Sequence, residues 1–486
     1  MADILFSHSY FLRFDPKQWE TMQPYPPLGT LYAASYTRQR GYSVALFDSM
    51  LAAGPDEFRA ALDAHQPRFV VLYEDSFNYL SKMCLTRMRE AAFVMAGLAK
   101  RQGGCTVIVS GSDATDHKAA YLAHGADYLL IGEGEITLVA LLDVLSGRSR
   151  TSLDDVPGLA FIRDGTLRQT GERELLRDLD VLPPPARDLL DIPLYERAWR
   201  TRHGYFSMNV VTTRGCPFKC NWCAKPIYGN RYNSRSPERV AAELRELKTT
   251  CRPDHLWFAD DIFGLKPGWV ERFSRCVIEQ DAVIPFKIQA RVDLLDEDVV
   301  RALKTAGCRS IWVGAESGSQ KILDAMDKGT TVEQIHTAAA RLHRHGIEVG
   351  FFLQFGYPGE TWEDIGKTML MVRDCRPDDI GISVSYPLPG TMFYERVRQE
   401  LGEKRNWTDS DDLAMMFRGT YSPEFYRTLH RVVHGRFRVQ KGLDAFAEWL
   451  RHPARLDGQR MRTVAAAASG AAMAAVGGVR LRRLRH

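Results

Sequence analysis

Short apolar runs alternate with helical patterns along this chain, and the alternation stops once and then restarts. In the first stretch the runs are ILFSH (4–8), SVALF (43–47), FVVLY (69–73), TVIVSG (106–111) and YLLIG (128–132). Segments such as LGTLYAASYTRQRG and LTRMREAAFVMAGLAKRQG lie between them. Their apolar residues recur every three or four positions, and each segment ends in glycine, a helix stop. Strand and helix in strict succession predict an α/β fold with a parallel sheet covered on both faces. Residues 1–147 are therefore expected to form a doubly wound, Rossmann-like domain that binds ligands beyond the carboxyl ends of its strands.

The pattern restarts near residue 207, with strand candidates at 208–214, 255–260, 286–291, 310–316, 349–356 and 380–386. Six strand–helix units predict a partial (β/α)6 TIM-type barrel over 206–395, with its chemistry at the carboxyl ends of the strands. Residues 148–205 read as a linker, because DDVPGLAFIRDG is hairpin-like and Pro183 to Pro185 mark extended chain. Residues 396–460 are expected to be a helical cap at the barrel mouth. There Tyr426, His430 and His434 recur at the spacing of a packed helix face. Residues 461–486 are an Ala-rich basic tail. Its uncharged run, 464–479, is shorter than a membrane span requires. The arginines that follow leave a membrane-surface contact as an alternative to a free or helical tail.

Bulk properties exclude several classes. The chain is 45% hydrophobic and 26% charged, as in ordinary globular proteins. Its 64 basic and 60 acidic residues nearly balance, so no nucleic-acid partner is expected. Nine scattered cysteines do not form a secreted disulfide framework. The first residues, MADILFSHSYFLRFD, do not read as a signal peptide. Together these point to a reducing cytoplasm.

The sharpest feature is RGCPFKCNWC (214–223), which places Cys216, Cys220 and Cys223 on one short loop after the first strand of the second unit. Closely spaced thiolates of this kind hold iron–sulfur clusters. Three ligands bind three irons of a 4Fe–4S cubane and leave the fourth iron open. Zinc would need a second Cys-x2-Cys pair or nearby histidines. Redox Cys-x-x-Cys sites have two cysteines rather than three.

The loop, with its aromatic Trp222 before the last cysteine, resembles the signature of the radical SAM superfamily, whose fold is a six-unit partial barrel. The resemblance implies that the open iron binds S-adenosylmethionine and that the reduced cluster cleaves it to methionine and a 5′-deoxyadenosyl radical. It also implies an external electron donor of flavodoxin or ferredoxin type. By the same resemblance, S-adenosylmethionine is expected to meet Trp222, Asp260 and Asp261 in FADDIFG, Arg291, Glu316 in VGAESGS and Gly356 in FGYPGET. The aspartate pair reads equally well as a helix cap.

Three N-terminal segments add a second resemblance. They are QPYPPLGTLYAASYTRQRGY, SGSDAT (110–115) and IGEGEITL (131–138). In this order, ahead of the cysteine loop, they resemble the cobalamin-binding domain of cobalamin-dependent radical SAM enzymes, which include class B methylases and anaerobic cyclases. The resemblance implies cobalamin contacts at Ser110, Gly111, Ser112, Thr115, Gly132, Glu133 and Gly134. The loop that would carry a lower-ligand histidine, YEDSFNYLSKM (73–83), has none. That disfavours a mutase more than a radical SAM enzyme.

The expected activity is methylation of an unactivated carbon in a small-molecule substrate. A non-methylating cyclase or rearrangement enzyme is the alternative, and a non-catalytic cobalamin or redox sensor a further one. No individual catalytic residue is identifiable from the sequence.

Overall fold

Both alternating halves form parallel sheets in the computed structural model, which describes residues 2–485 apart from 79, 80, 82, 84, 103, 226, 405 and 452–457. Part of the 73–83 loop and Cys84 thus lie outside the described residues. The first sheet has the order β2-β1-β3-β4-β5-β6-β7. Its parallel strands are β1 (Ile4–Ser7), β2 (Val44–Phe47), β3 (Phe69–Tyr73), β4 (Thr106–Ser110) and β5 (Tyr128–Leu130). β3 is buried throughout, as expected for a central parallel strand covered on both faces.

The sheet does not end at residue 147. β6 (Leu159–Arg163) and β7 (Thr166–Gln169) add an antiparallel hairpin to the edge of β5. The hairpin turns on Asp164 and Gly165, at φ 51 and 71. Positive φ at both central residues is what a tight two-residue hairpin requires. The segment read as a linker therefore extends the first domain and covers an otherwise open strand edge. Its helix Ile192–His203 also joins the two domains. Tyr195 donates to Asp48 at 2.6 Å, and the Trp199 indole donates to the Pro24 carbonyl at 2.7 Å.

The second large sheet has the order β15-β14-β13-β12-β11-β8, all parallel. Its strands are β8 (Ser207–Val210), β11 (His255–Phe258), β12 (Phe286–Ala290), β13 (Cys308–Glu316), β14 (Glu348–Phe355) and β15 (Asp379–Val384). This is the expected six-stranded partial barrel. A two-stranded ribbon of β9 (Thr213–Arg214) and β10 (Asn233–Ser234) brackets the cysteine loop. Along β12, Phe286, Ile288 and Ala290 are buried, and the alternating Lys287 and Gln289 line the barrel interior.

Beyond the barrel, the helices Pro423–Arg451 and Gly458–Leu484 form a hairpin. Small residues set their close approach: a Cβ on Gly435 would lie 2.8 Å from the Gly470 carbonyl oxygen. The tail is thus a packed helix, joined to its partner by an Arg480–Glu424 ion pair at 2.5 Å. Helical structure carries the apolar stretch past the run counted in the sequence. Met461–Leu484 is 24 residues long and contains an 18-residue window of mean hydropathy 1.5, long and apolar enough to cross a membrane, of which 11% is buried.

Replacing Gly435 by leucine is expected to lever the last helix away. Limited trypsinolysis followed by mass spectrometry should release a C-terminal fragment faster than from the unaltered protein, with the far-ultraviolet circular dichroism nearly unchanged.

Candidate metal centre and interdomain cavity

Backbone geometry first shapes the cysteine loop. Gly215 has φ 79, and a Cβ there would run into the carbonyl oxygens of Tyr228, Gly229 and Arg231. Only glycine lets the returning chain pass that close. Asp260 then clamps the strand end that feeds the loop. It accepts hydrogen bonds from the backbone N–H groups of Thr212 and Thr213, both at 2.7 Å, and from both threonine hydroxyls. Burial pushes this carboxyl up to about 6, against the opposing pull of those four donors. The expected ligand contact at Asp260 is thus replaced by a structural one, since both its oxygens are engaged inside the protein. Asp261 is exposed and lies in the electrostatic field of Cys216 and Cys223.

Asn221, which sequence reasoning missed, ties the loop to the segments that follow β13, β14 and β15. Its side-chain amide donates to the Ala325 carbonyl at 2.8 Å and to Asp327 at 2.7 Å. Its side-chain oxygen accepts from the Tyr357 hydroxyl at 2.7 Å, and its backbone carbonyl accepts from Phe393 at 2.9 Å. A polar residue between two ligand cysteines was the only available signal. Arg291 lies over the Phe218 ring, 3.7 Å from its centroid, and pairs with Asp293. It braces the loop from below.

Cys216, Cys220 and Cys223 are free thiols, each half-buried. Burial pushes Cys216 up and Cys223 up to about 12. A cluster requires thiolates, so binding iron would release protons here. The surrounding cations suit that charge. Lys225 lowers Cys216 and Cys223 electrostatically. Lys328 is buried, which disfavours its charge, but Glu316 and Cys220 outweigh burial and hold the ammonium above its usual range. The donor set and its countercharges therefore fit an iron–sulfur cluster.

Glu316 stands at the rim of the same loop. It ends β13 with φ 55, a left-handed conformation rare for a residue with a side chain, just past a register shift between Gly314 and Glu316. The irregularity aims its carboxylate at Lys328, 2.7 Å away. A Cβ on Gly314 would fall 2.5 Å from Lys328 Nζ and 2.6 Å from Glu316 Oε1, so the pair lies over that glycine. Gly356, at φ 81, ends β14 beneath Met415 and Tyr426 and donates its N–H to Glu360 at 2.7 Å. The Trp222 indole N–H is buried with no partner among the described residues.

In the first domain the expected cobalamin residues also gather at strand ends, but they do different work. Gly134 donates to the Tyr73 hydroxyl, and a Cβ on it would fall 2.8 Å from Ser110 Oγ. Gly111 backs onto the side chain of Glu74, Ser112 donates to the Ser81 carbonyl, and Thr115 donates to the Gly111 carbonyl. Gly132, at φ 79, borders open space. Glu133 turns toward the barrel. With Glu135 it holds Arg214 at 3.0 and 2.6 Å, all three being buried. The sequence also did not disclose Glu74. Burial pushes its carboxyl up to about 7, and its Oε2 has no partner among the described residues. The Ser9 and Tyr10 hydroxyls at the end of β1 are likewise buried and unpartnered. Such groups at the carboxyl edge of a doubly wound sheet fit a large polar ligand such as cobalamin.

The two domains meet across a cavity of about 250 Å³. Tyr10, Met50, Asp75 and Phe77 line it from the first domain, and Asn209, Trp257, Lys287, Gln289, Trp312 and Phe352 from the barrel. A larger groove of about 1120 Å³ lies between the helices Trp362–Cys375 and Pro423–Arg451, and no residue of the cysteine loop lines it. The cysteine loop does not line the smaller cavity either; that cavity is distinguished by lying between the two domains.

Comparison with known proteins gives the same division. The B12 binding domain pattern matches residues 20–142, and the radical SAM superfamily pattern matches residues 210–372. An uncharacterised methyltransferase of Pyrococcus horikoshii is 28% identical over 390 residues, covering 79% of this chain and 81% of that one. The hopanoid C-3 methylase of Methylococcus capsulatus is 26% identical over 446 residues, covering 87% and 79%. The anaerobic magnesium-protoporphyrin IX monomethyl ester cyclase of Rubrivivax gelatinosus is 29% identical over 287 residues, covering 57% and 49%. Among solved structures, the radical S-adenosylmethionine methyltransferase TsrM from Kitasatospora setae, with cobalamin and a [4Fe-4S] cluster bound, superposes with a TM-score of 0.64 at 18% identity over 83% of this chain and 79% of that one. Fold and site thus define a radical SAM enzyme with an N-terminal B12-binding domain. The chain carries a radical SAM region behind a B12-binding region, and it is similar to methyltransferases and cyclases of that arrangement.

Arg214 precedes the cysteine loop and is held by the other domain. Its replacement by methionine would leave two buried carboxylates facing each other, at a cost of about 3–5 kcal/mol. Urea unfolding at neutral pH should show this loss.

Proposed function

We propose that this protein methylates an unactivated carbon of a small molecule, using S-adenosylmethionine, a 4Fe–4S cluster on Cys216, Cys220 and Cys223, and cobalamin on the first domain. The observation that carries the reading is the three-cysteine loop set just after the first strand of a six-stranded parallel barrel sheet and tied through Arg214 to the B12-binding domain. When bound, the cluster would supply the electron that cleaves S-adenosylmethionine, and cobalamin would supply a methyl carrier.

The chain's own residues do the rest. Asn221, Asp260 and Arg291 anchor the thiol loop to the barrel. Lys225 and Lys328 offset the negative charge of the thiolates. Glu316 presents a carboxylate at the rim, where it can accept hydrogen bonds from S-adenosylmethionine, and Asp261, Trp222 and Gly356 border the same space. Ser110, Gly111, Ser112, Thr115, Gly132 and Gly134 border cobalamin, and Glu74 adds a polar contact to it. The aromatic lining excludes water from a reactive radical. An external flavodoxin- or ferredoxin-type donor and a reducing cytoplasmic setting complete the scheme. A membrane contact by the basic end of the C-terminal hairpin is a further use for that exposed face.

Anaerobic reconstitution with iron, sulfide and cobalamin tests the reading. S-adenosylmethionine labelled in its methyl group should give deoxyadenosine and a labelled product. Alanine at any of the three cysteines should abolish deoxyadenosine and leave cobalamin content near that of the unaltered protein. Deoxyadenosine without product label would instead favour cyclisation or rearrangement, a reaction class represented among the relatives. No cleavage by a fully loaded protein would favour a sensor.

A further inference from the structure

One wall of the interdomain cavity is built in register. Asn209, Trp257 and Lys287 are lateral partners on the adjacent parallel strands β8, β11 and β12. One row thus places an amide, an indole and an ammonium side by side. One layer nearer the cysteine loop, Gln289 is level with Trp312 of β13.

Lys287 is the unusual member. Its ammonium lies 5.5 Å from the ring centroids of both Tyr25 and Trp257. No ion pair or hydrogen bond of its own is found among the described residues. Burial lowers its proton affinity, with Tyr205 and Asp379 only partly opposing. His255 in the same interior stays neutral, since burial and then Lys287 hold it down near 4. Asp75, on the far wall, already accepts from the Gly29 and Phe77 N–H groups at 3.0 and 3.1 Å. A half-buried ammonium with no direct ion pair or hydrogen bond is left for a ligand to meet.

Two further groups in the lining lack partners. Asn209 is 2% exposed and donates its amide to the Pro26 carbonyl, but its Oδ1 has no partner; the Tyr10 hydroxyl, 5% exposed overall, has none either. The rings are fixed. A Cβ on Gly350 would overlap the Trp312 indole, and one on Gly381 would lie 3.2 Å from it, so the indole lies flat on bare backbone. Phe352 packs against it with centroids 4.8 Å apart.

We propose that this cavity is the substrate pocket and that it takes a flat ring molecule bearing an oxyanion, either carboxylate or phosphate. The ring lies among Tyr25, Trp257, Trp312 and Phe352, the oxyanion meets Lys287, and an N–H or O–H of the substrate meets Asn209 Oδ1. Lys287 argues against a cationic substrate, although aromatic faces alone would favour one. A plain hydrocarbon would leave three polar groups buried and unmet. This inference deepens the proposed methylation by naming its substrate class, and it rests on that reading.

The test uses anaerobic holoprotein carrying both cluster and cobalamin, titrated calorimetrically with 2-naphthoate, 2-naphthyl phosphate and 2-naphthalenemethanol. At least one anion should bind at least about tenfold more tightly than the alcohol, a typical difference for a charge-assisted hydrogen bond. Whichever anion is preferred identifies the oxyanion. Lys287→Met should erase the preference. Trp312→Leu should weaken all three probes alike, which keeps a check in hand if the lysine variant fails to fold. Equal binding of anion and alcohol, no saturable binding of either anion at millimolar concentration, unchanged discrimination in Lys287→Met, or displacement of cobalamin by the probe would each overturn the assignment. Iron–sulfur absorption and deoxyadenosine formation, measured on the same preparation, report separately on the radical reading.

Discussion

The arrangement of this protein turns on a buried arginine. Arg214 comes two residues before the first ligand cysteine, yet its charge is met by Glu133 and Glu135 at the end of the other domain's fifth strand. The rings of Phe77 and Tyr228 flank its guanidinium at 5.7 and 5.2 Å. A buried ion pair of this kind adds little to stability, but breaking one partner is expensive. It therefore ties the strand that leads into the cysteine loop to the docked first domain. The Tyr195–Asp48 and Trp199–Pro24 bonds hold the same docking from the opposite side.

Much of the fold was legible because both domains obey the simplest rule available, strand then helix with parallel neighbours. The boundary at 147 was not, because β6 and β7 pair antiparallel and carry only a short hairpin signal around Asp164 and Gly165. The C-terminal hairpin was only partly legible. Small residues mark close helix packing only once a partner helix is known, as at Gly435 and Gly470.

The site divides in the same way. The cysteine triad is legible because its chemistry depends on sequence-local spacing. Residues that act through tertiary contacts are not. Asp260 looks like a rim carboxylate in the sequence but spends both oxygens on Thr212 and Thr213. Glu133 sits in a glycine-rich turn suited to a cofactor but faces Arg214. Asn221, Glu74 and Lys287 have no local signature, because each gains its role from a partner, or from the lack of one, far away in the chain.

The central claim is that a cluster on the three thiols and a corrin on the first domain lie close together where the domains meet. Electron paramagnetic resonance on protein holding cob(II)alamin and the reduced cluster tests it most directly. The account predicts a cobalt signal broadened or split by the neighbouring cluster spin, and restored to its isolated form when Cys216, Cys220 and Cys223 are replaced by alanine. Two unperturbed spectra that simply add would contradict it.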